Sequence, residues 1–133
     1  LVGVSGRDAP MTWKGKWQNQ YGSIVDITDD ADRRISGTFR TALRDSGFYG
    51  QEIPIVGIHQ GDCISFVAGG ETAAGDAAVS YTGLLRDGKM ETMWFVVADS
   101  VIKATAEGAA GKREKLSWWR SISTNADTFV RMP

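Results

Sequence analysis

Cysteine, histidine and proline are scarce in this 133-residue chain, at one, one and three residues. With Cys63 alone an intrachain disulfide is excluded, and Cys63 with His59 supplies too few ligands for a Cys/His metal site. The two lie close enough in sequence for a nucleophile pair to be conceivable. Cys63 stands in the apolar run CISFV, however, where a buried structural thiol is the expectation. An excess of either charge is also missing: 15 Lys and Arg face 16 Asp and Glu, so no basic stripe points to nucleic acid or another polyanion. KREK, residues Lys112–Lys115, reads as a solvated loop. No apolar run is long enough to cross a membrane. The length fits one domain, residues 1–133, able to bury a core without a disulfide or a metal.

What is present is glycine, 16 residues of it, and short apolar runs separated by turn formers. SIVDIT, ISGTFRTA, IPIVGIH, CISFVA, AAVSYTGLL, METMWFVVA, KLSWWRSIS and DTFVRM are eight strand-like runs. RDGK between two of them is a hairpin turn with Asp-Gly at its centre, and GGETAAGD is a flexible loop. Helical periodicity is faint. Between residues 99 and 116, Val101, Ile102 and Ala106 could share a helical face, but Gly108 and Gly111 would break it, so the segment reads as a long loop with at most a helical turn. Sequential strands with Gly-rich turns predict an all-β fold, an up-and-down barrel or a sandwich.

A small eight-stranded barrel can hold one small ligand in its mouth, so the inward face decides function. GKWQNQYGS, residues 15–23, is too polar for a plain core strand. Alternation puts Trp17 with Asn19, Ser23 with Val25, Phe39 with Thr41, Thr92 with Trp94, and Asp127 with Phe129. Tryptophans interleaved with Asn, Ser, Thr and Asp suit a specific site with apolar walls and a few polar anchors. Taken singly, each residue also has a plainer role. Asn19 can satisfy backbone groups at a strand end, Asp127 can be a turn or surface carboxylate, and Trp94 and Trp119 can be core or interface aromatics. Tyr81 fits barrel packing as well as a ligand wall, and His59 fits a surface strand position. No nucleophile–base pair is legible and Asp127 has no acid/base partner, so no enzymatic activity is expected.

Five segments together resemble the avidin and streptavidin family: GKWQNQYGS its first-strand signature, ISGTFRTA its third strand, SYTG its sixth, ETMWFV its seventh, and WWRSISTNADTF its end. Their order and approximate spacing hold across nearly the whole chain. The resemblance implies an eight-stranded antiparallel up-and-down β-barrel that binds biotin at one open end, with no cofactor beyond that ligand. It implies that Asn19 and Ser23 donate to the ureido oxygen, and that Asp127 and Thr41 accept from the ureido N–H groups. Trp17 would lie deep in the core, Phe39, Tyr81 and Trp94 would line the site, and Trp119 would lid a neighbouring subunit's site. It also implies a homo-oligomer, a tetramer first and a dimer or other assembly next. A secreted or periplasmic location follows from the resemblance alone, since no signal peptide is visible in these residues.

The chain departs from the family's pattern in four places. Phe39 stands where a Tyr is usual, removing one hydroxyl donor, a loss of roughly 1–3 kcal/mol. Gly70 stands where a Trp is usual, at a cost on the order of 2–4 kcal/mol. Ala77 and Val79 replace hydroxyls for the ligand's carboxylate and sulfur, and the stretch between Trp94 and Trp119 is longer than usual. A weaker site with less recognition of the carboxylate is therefore expected. The alternative is a barrel that has lost biotin binding and serves as a structural or assembly module, or takes another small apolar ligand in the space that Gly70 opens.

Overall fold

The computed structural model describes residues 12–44, 46, 48–72, 75–103, 112–115 and 117–133. Their strands are β1 (Gly15–Asn19), β2 (Ile24–Asp29), β3 (Arg34–Arg40), β4 (Ile53–Gln60) and β5 (Cys63–Thr72), then β6 (Gly75–Arg86), β7 (Lys89–Ala98), β8 (Ser100–Lys103), β9 (Lys112–Lys115) and β10 (Ile122–Arg131). Each of β1 to β6 pairs antiparallel with the next, β7 pairs with β10, and β10 returns to β1, closing an eight-stranded barrel. Closure leaves no open sheet edge in the barrel. The strands form because apolar and polar residues alternate with period two. Ile64, Phe66 and Ala68 enter the core from β5, for instance, while Cys63 and Val67 stay outside. Asp87 and Gly88, both at positive φ (52° and 76°), make the two-residue turn between β6 and β7 that RDGK signals.

Inward side chains fill one end of the barrel and leave the other open. Trp17, Ile27, Ile35, Ile55, Phe66, Met90 and Phe129 are buried in the filled half. Trp13 closes that end: its ring lies 5.9 Å from that of Trp17, whose indole N–H donates to the Trp13 carbonyl at 2.9 Å. The Arg131 guanidinium stacks 4.3 Å from the centroid of Trp17 and donates to the carbonyls of Lys14 and Thr12. Asp30 ties the same segment down by accepting from the Thr12 hydroxyl and the Trp13 amide, each at 2.8 Å. Burial opposes the charge on Asp30, but these donors, the Lys14 amide and the nearby His59 outweigh it and hold the carboxyl below its usual value. His59 donates from Nε2 to the Asp30 carbonyl at 2.7 Å, so it is half-buried as part of this end cap rather than a plain surface residue.

Three inward positions carry glycine where neighbouring strands approach closely. A Cβ at Gly37, Gly57 or Gly83 would stand 1.9 Å from Asp26 O, 2.0 Å from Ser65 O or 1.9 Å from Glu91 O. The strands can coil this tightly only without those side chains.

Four further expectations change. KLSWWRSIS is not a strand of its own: Trp118–Arg120 is a 3-10 turn, and Ile122–Arg131 is one continuous strand that includes DTFVR. Within the 99–116 segment, Ser100–Lys103 and Lys112–Lys115 pair as a two-stranded hairpin rather than looping, as two adjacent β-branched residues, Val101 and Ile102, favour. Ala106, Gly108 and Gly111 lie outside the described residues. GGET is the end of β5 and not a loop, because Gly69 to Thr72 stay in register with β6. Cys63 is exposed, because strand parity, hidden by the apolar look of CISFV, turns it outward with Val67.

Gly83→Ala is expected to destabilise the fold by about 1–3 kcal/mol or more, as an overpacked core does. Gly70→Ala, whose Cβ would meet only the Phe48 ring at 3.5 Å, is expected to change it by less than about 0.5 kcal/mol. Urea unfolding of the two variants measures the contrast, and equal effects would contradict it.

Candidate functional site

At the open end the barrel encloses a cavity of about 540 Å³. Its lining includes Asn19, Ser23, Phe39, Thr41, Tyr81, Trp94 and Asp127, so seven of the eight sequence-derived site residues meet there. The eighth, Trp119, does not line its own chain's cavity. It sits on the 3-10 turn, 63% exposed, with the Arg120 guanidinium 6.0 Å from its ring.

The turn from β1 to β2 sets the polar side of the cavity. Gly22 at φ 93° lets the chain reverse within a few residues, and the Asn19 amide N–H donates to the Ser23 carbonyl at 3.0 Å. Asn19 Oδ1 accepts from the backbone N–H groups of Tyr21 (3.0 Å) and Ser23 (2.9 Å). With its oxygen so occupied, the side-chain amide has one orientation: Nδ2 faces Asp127 Oδ2 at 3.0 Å and keeps a second N–H to give. Asn19 thus satisfies the backbone at a strand end and also presents a donor.

Asp127 is buried and braced from several strands. Oδ2 accepts from Asn19 and, at 3.5 Å, from the Tyr81 hydroxyl, while Oδ1 accepts from Gln20 Nε2 at 3.3 Å. Gln20 is fixed in turn by the Thr128 amide, which donates to its Oε1 at 3.1 Å, and Thr92 donates to the Asp127 carbonyl at 2.9 Å. Next to Asn19, Ser23 Oγ accepts from the Ala42 amide at 2.8 Å and lies 3.5 Å from Thr41 Oγ1, which accepts from the Leu43 amide at 3.1 Å. Among the described residues no buried side-chain nitrogen or oxygen lacks a partner. The site is therefore preorganised, and a ligand there meets fixed dipoles.

The aromatic walls come from both sides. Tyr81 stacks on Phe66 with centroids 5.1 Å apart and stands 5.8 Å from Phe39. Phe39 has no hydroxyl, and the one phenol placed among these rings belongs to Tyr81 on β6, not to β3. Besides Tyr21, Ser123 and Asn125, which also line the cavity, sequence reasoning missed two residues that shape it. Phe48, from the segment joining β3 to β4, is 4% exposed, lines the cavity and faces Gly70, where a Cβ would lie 3.5 Å from its ring. An aromatic in a Gly-rich loop carries no periodic signal. Gln20 was missed because its parity is opposite to that of Asn19 and its reach depends on the turn.

Burial raises the Tyr81 phenol well above the usual tyrosine value, and the Asp127 carboxylate adds to the shift as a charge and as an acceptor. The folded value lies above the unfolded one. The stabilisation from neutral Tyr81 is therefore complete below about pH 10 and is lost as pH rises through the folded value. Ultraviolet titration is expected to show one phenol still protonated where free tyrosine has ionised, with Tyr81→Phe removing that late step. Ionisation of every phenol at the free value would contradict it.

A model of the Avidin family matches residues 7–132. No curated protein matches the chain. Among solved structures it is similar to apo shwanavidin, at 20% identity and a TM-score of 0.71 over 94% of this chain and 100% of that one. It is similar to rhizavidin in its biotin complex, at 22% identity and a TM-score of 0.68 over 92% and 93% of the two chains. Bradavidin2 in its biotin complex aligns at 19% identity and a TM-score of 0.67 over 92% and 100%.

Proposed function

The chain belongs to the avidin family, and from that premise we propose that it is a non-enzymatic biotin-binding protein that takes the ligand in the open end of its barrel. One observation carries the reading: the free N–H of Asn19 and the hydroxyl of Ser23 face the same space as the acceptors Asp127 and Thr41. A cyclic urea presents the complement, a carbonyl oxygen between two N–H groups. Asn19 and Ser23 donate to that oxygen, and Asp127 and Thr41 accept from the nitrogens. The carboxylate draws charge toward the ureido oxygen, which strengthens the donors in a dry pocket.

Biotin–streptavidin lies near the ceiling of non-covalent affinity, and the site here is weaker. Phe39 withholds a hydroxyl donor, roughly 1–3 kcal/mol, and Ala77 and Val79 offer nothing to the carboxylate or the sulfur. The missing Trp at Gly70 costs less than the sequence suggests, because Phe48 supplies an aromatic face at the same place. The same ring removes the main support for the alternative of another apolar ligand, since Gly70 opens little room.

The partner is a second copy of the chain. Across β4, β5, β6, β7 and β10, Val56, Val67, Ser80, Phe95 and Thr124 stand in register on the outside, beside a row of Ile58, Ser65, Thr82, Met93 and Ala126. A shorter row of Gly69, Ala78, Val97 and Ile122 adjoins them, and no charge interrupts the three rows. The patch spans roughly 24 by 20 Å, about 500 Å² of sheet before side-chain relief adds area, on the scale of one half of a standard interface. The opposite side of the barrel carries Lys16, Asp26, Arg34 and Arg40. The exposed Trp119 suits a lid on a neighbour's site, and export to the periplasm or medium completes the proposal.

Biotin at a thousandfold over Kd is expected to add about 4 kcal/mol of stability and raise Tm by on the order of 10 °C or more. No thermal shift would refute biotin binding. Calorimetry is expected to find biotin methyl ester within about tenfold of biotin, and a larger penalty would refute the indifference to the carboxylate. Phe95→Glu is expected to lower the molar mass seen by light scattering to that of a monomer, and an unchanged oligomer would place the interface elsewhere.

A further inference from the structure

The strand that supplies Asp127 also supplies polar groups along the way out of the barrel. Alternation puts Ser123 and Asn125 of β10 on the same face as Asp127, and all three line the cavity. Cross-strand register fixes their levels. Asp127 lies opposite Thr92, Asn125 opposite Trp94, which in turn faces Tyr81, and Ser123 opposite Val96, which faces Val79. Asp127 is buried while Asn125 and Ser123 are exposed, so the row climbs from the cavity floor to its mouth in steps of roughly 7 Å. The Asn125 side chain has a defined orientation. Its Oδ1 accepts from the Ala126 amide at 2.8 Å, which leaves the N–H groups of Nδ2 to give. Other polar groups at the mouth lie away from β10. Thr72 is committed to the Gly75 carbonyl at 2.8 Å. Ser46 Oγ, between β3 and β4, accepts from the Phe48 amide at 3.2 Å and keeps a proton, and the Tyr21 phenol follows the β1–β2 turn. Among the lining residues the only formal charge is the Asp127 carboxylate. No cation there can pair with an acidic ligand end, so such an end is read through its oxygens by neutral donors.

We propose that Asn125, with Ser123 one step outward, forms a second polar subsite on β10 that holds the acyl end of the ligand's side chain by donating to its carbonyl oxygen. The proposal rests on the reading that the ureido group meets Asp127, which sets the ligand's head at the foot of the row. From there the alkyl chain passes the Trp94 ring, the apolar neighbour of Asn125 at the same level. The two residues replace, from another strand, the polar contacts that Ala77 and Val79 of β6 cannot make. Neutral donors serve an acid, an ester or an amide alike. The subsite therefore recognises a carbonyl and not a charge, and Asn125 is its specificity-determining residue.

Calorimetry on the full chain with three probes tests this: biotin, biotinamide, and the analogue with a methyl group in place of the carboxyl. Asn125→Ala is expected to weaken biotin and biotinamide alike, by about three- to tenfold, and to leave the methyl-ended analogue within about twofold. Asn125→Asp keeps the acceptor for the Ala126 amide but sets a carboxylate in the row. It is expected to weaken biotin at least about fivefold more than biotinamide, through repulsion of the acid. An analogue weakened as much as biotin would overturn the proposal, since Asn125 would then act on the head or on the fold. Unchanged binding of biotin by both variants would overturn it too, as would a loss produced by Ser46→Ala or Tyr21→Phe instead. In each of those cases the reading of the ureido end stands, because the unaltered chain still binds biotin. If the unaltered chain does not bind biotin, that reading fails and the subsite with it.

Discussion

A 3.0 Å hydrogen bond from Asn19 Nδ2 to Asp127 Oδ2 joins the first strand of the barrel to the last, across 108 residues of sequence. It lies at the seam where β10 pairs with β1, with Asn19 opposite Phe129. Barrel closure and site construction are thus one event. Without closure, Asp127 would be a carboxylate on an edge strand and Asn19 a turn residue; with it, Asp127 is buried and must be paired, because an unpaired buried charge is costly. The donors that pair it come from β1, the turn after β1, and β6, so the carboxylate in turn pins those elements.

Division of labour along the barrel follows from the same closure. The half capped by Trp13 is packed with Trp17, Phe66, Phe129 and branched aliphatics, and tight glycines let the strands coil around them. That packing supplies the apolar burial that drives folding, which frees the other half to keep a cavity. Tyr81 marks the boundary. Its ring belongs to the aromatic stack with Phe66, and its hydroxyl to the polar cluster at Asp127. A site resting on a rigid floor of this kind holds its donors in place without help from the ligand.

Most of the fold and much of the site could be read along the chain. Period-two alternation gave the faces of Trp17 and Asn19, Phe39 and Thr41, and Asp127 and Phe129, and each pair is buried together. Where the pattern was ambiguous, parity was the missing information. Cys63 looked buried in the apolar run CISFV, yet it faces out with Val67, because the same run also holds Ile64 and Phe66 facing in. The double tryptophan at 118 and 119 looked like strand, but the two stand on a 3-10 turn, 77% and 63% exposed.

The sequence by itself determined most of the barrel strands, the Asp-Gly turn, and which of their side chains share a face, since these depend on neighbours a few residues apart. Only the tertiary structure decided that Phe48 fills the flank beside Gly70, that Gln20 reaches Asp127, and that the Tyr81 hydroxyl donates to the same carboxylate. Each of those depends on bringing segments together through space. Contacts of that kind are set by barrel closure and loop path, which leave no periodic mark in the chain.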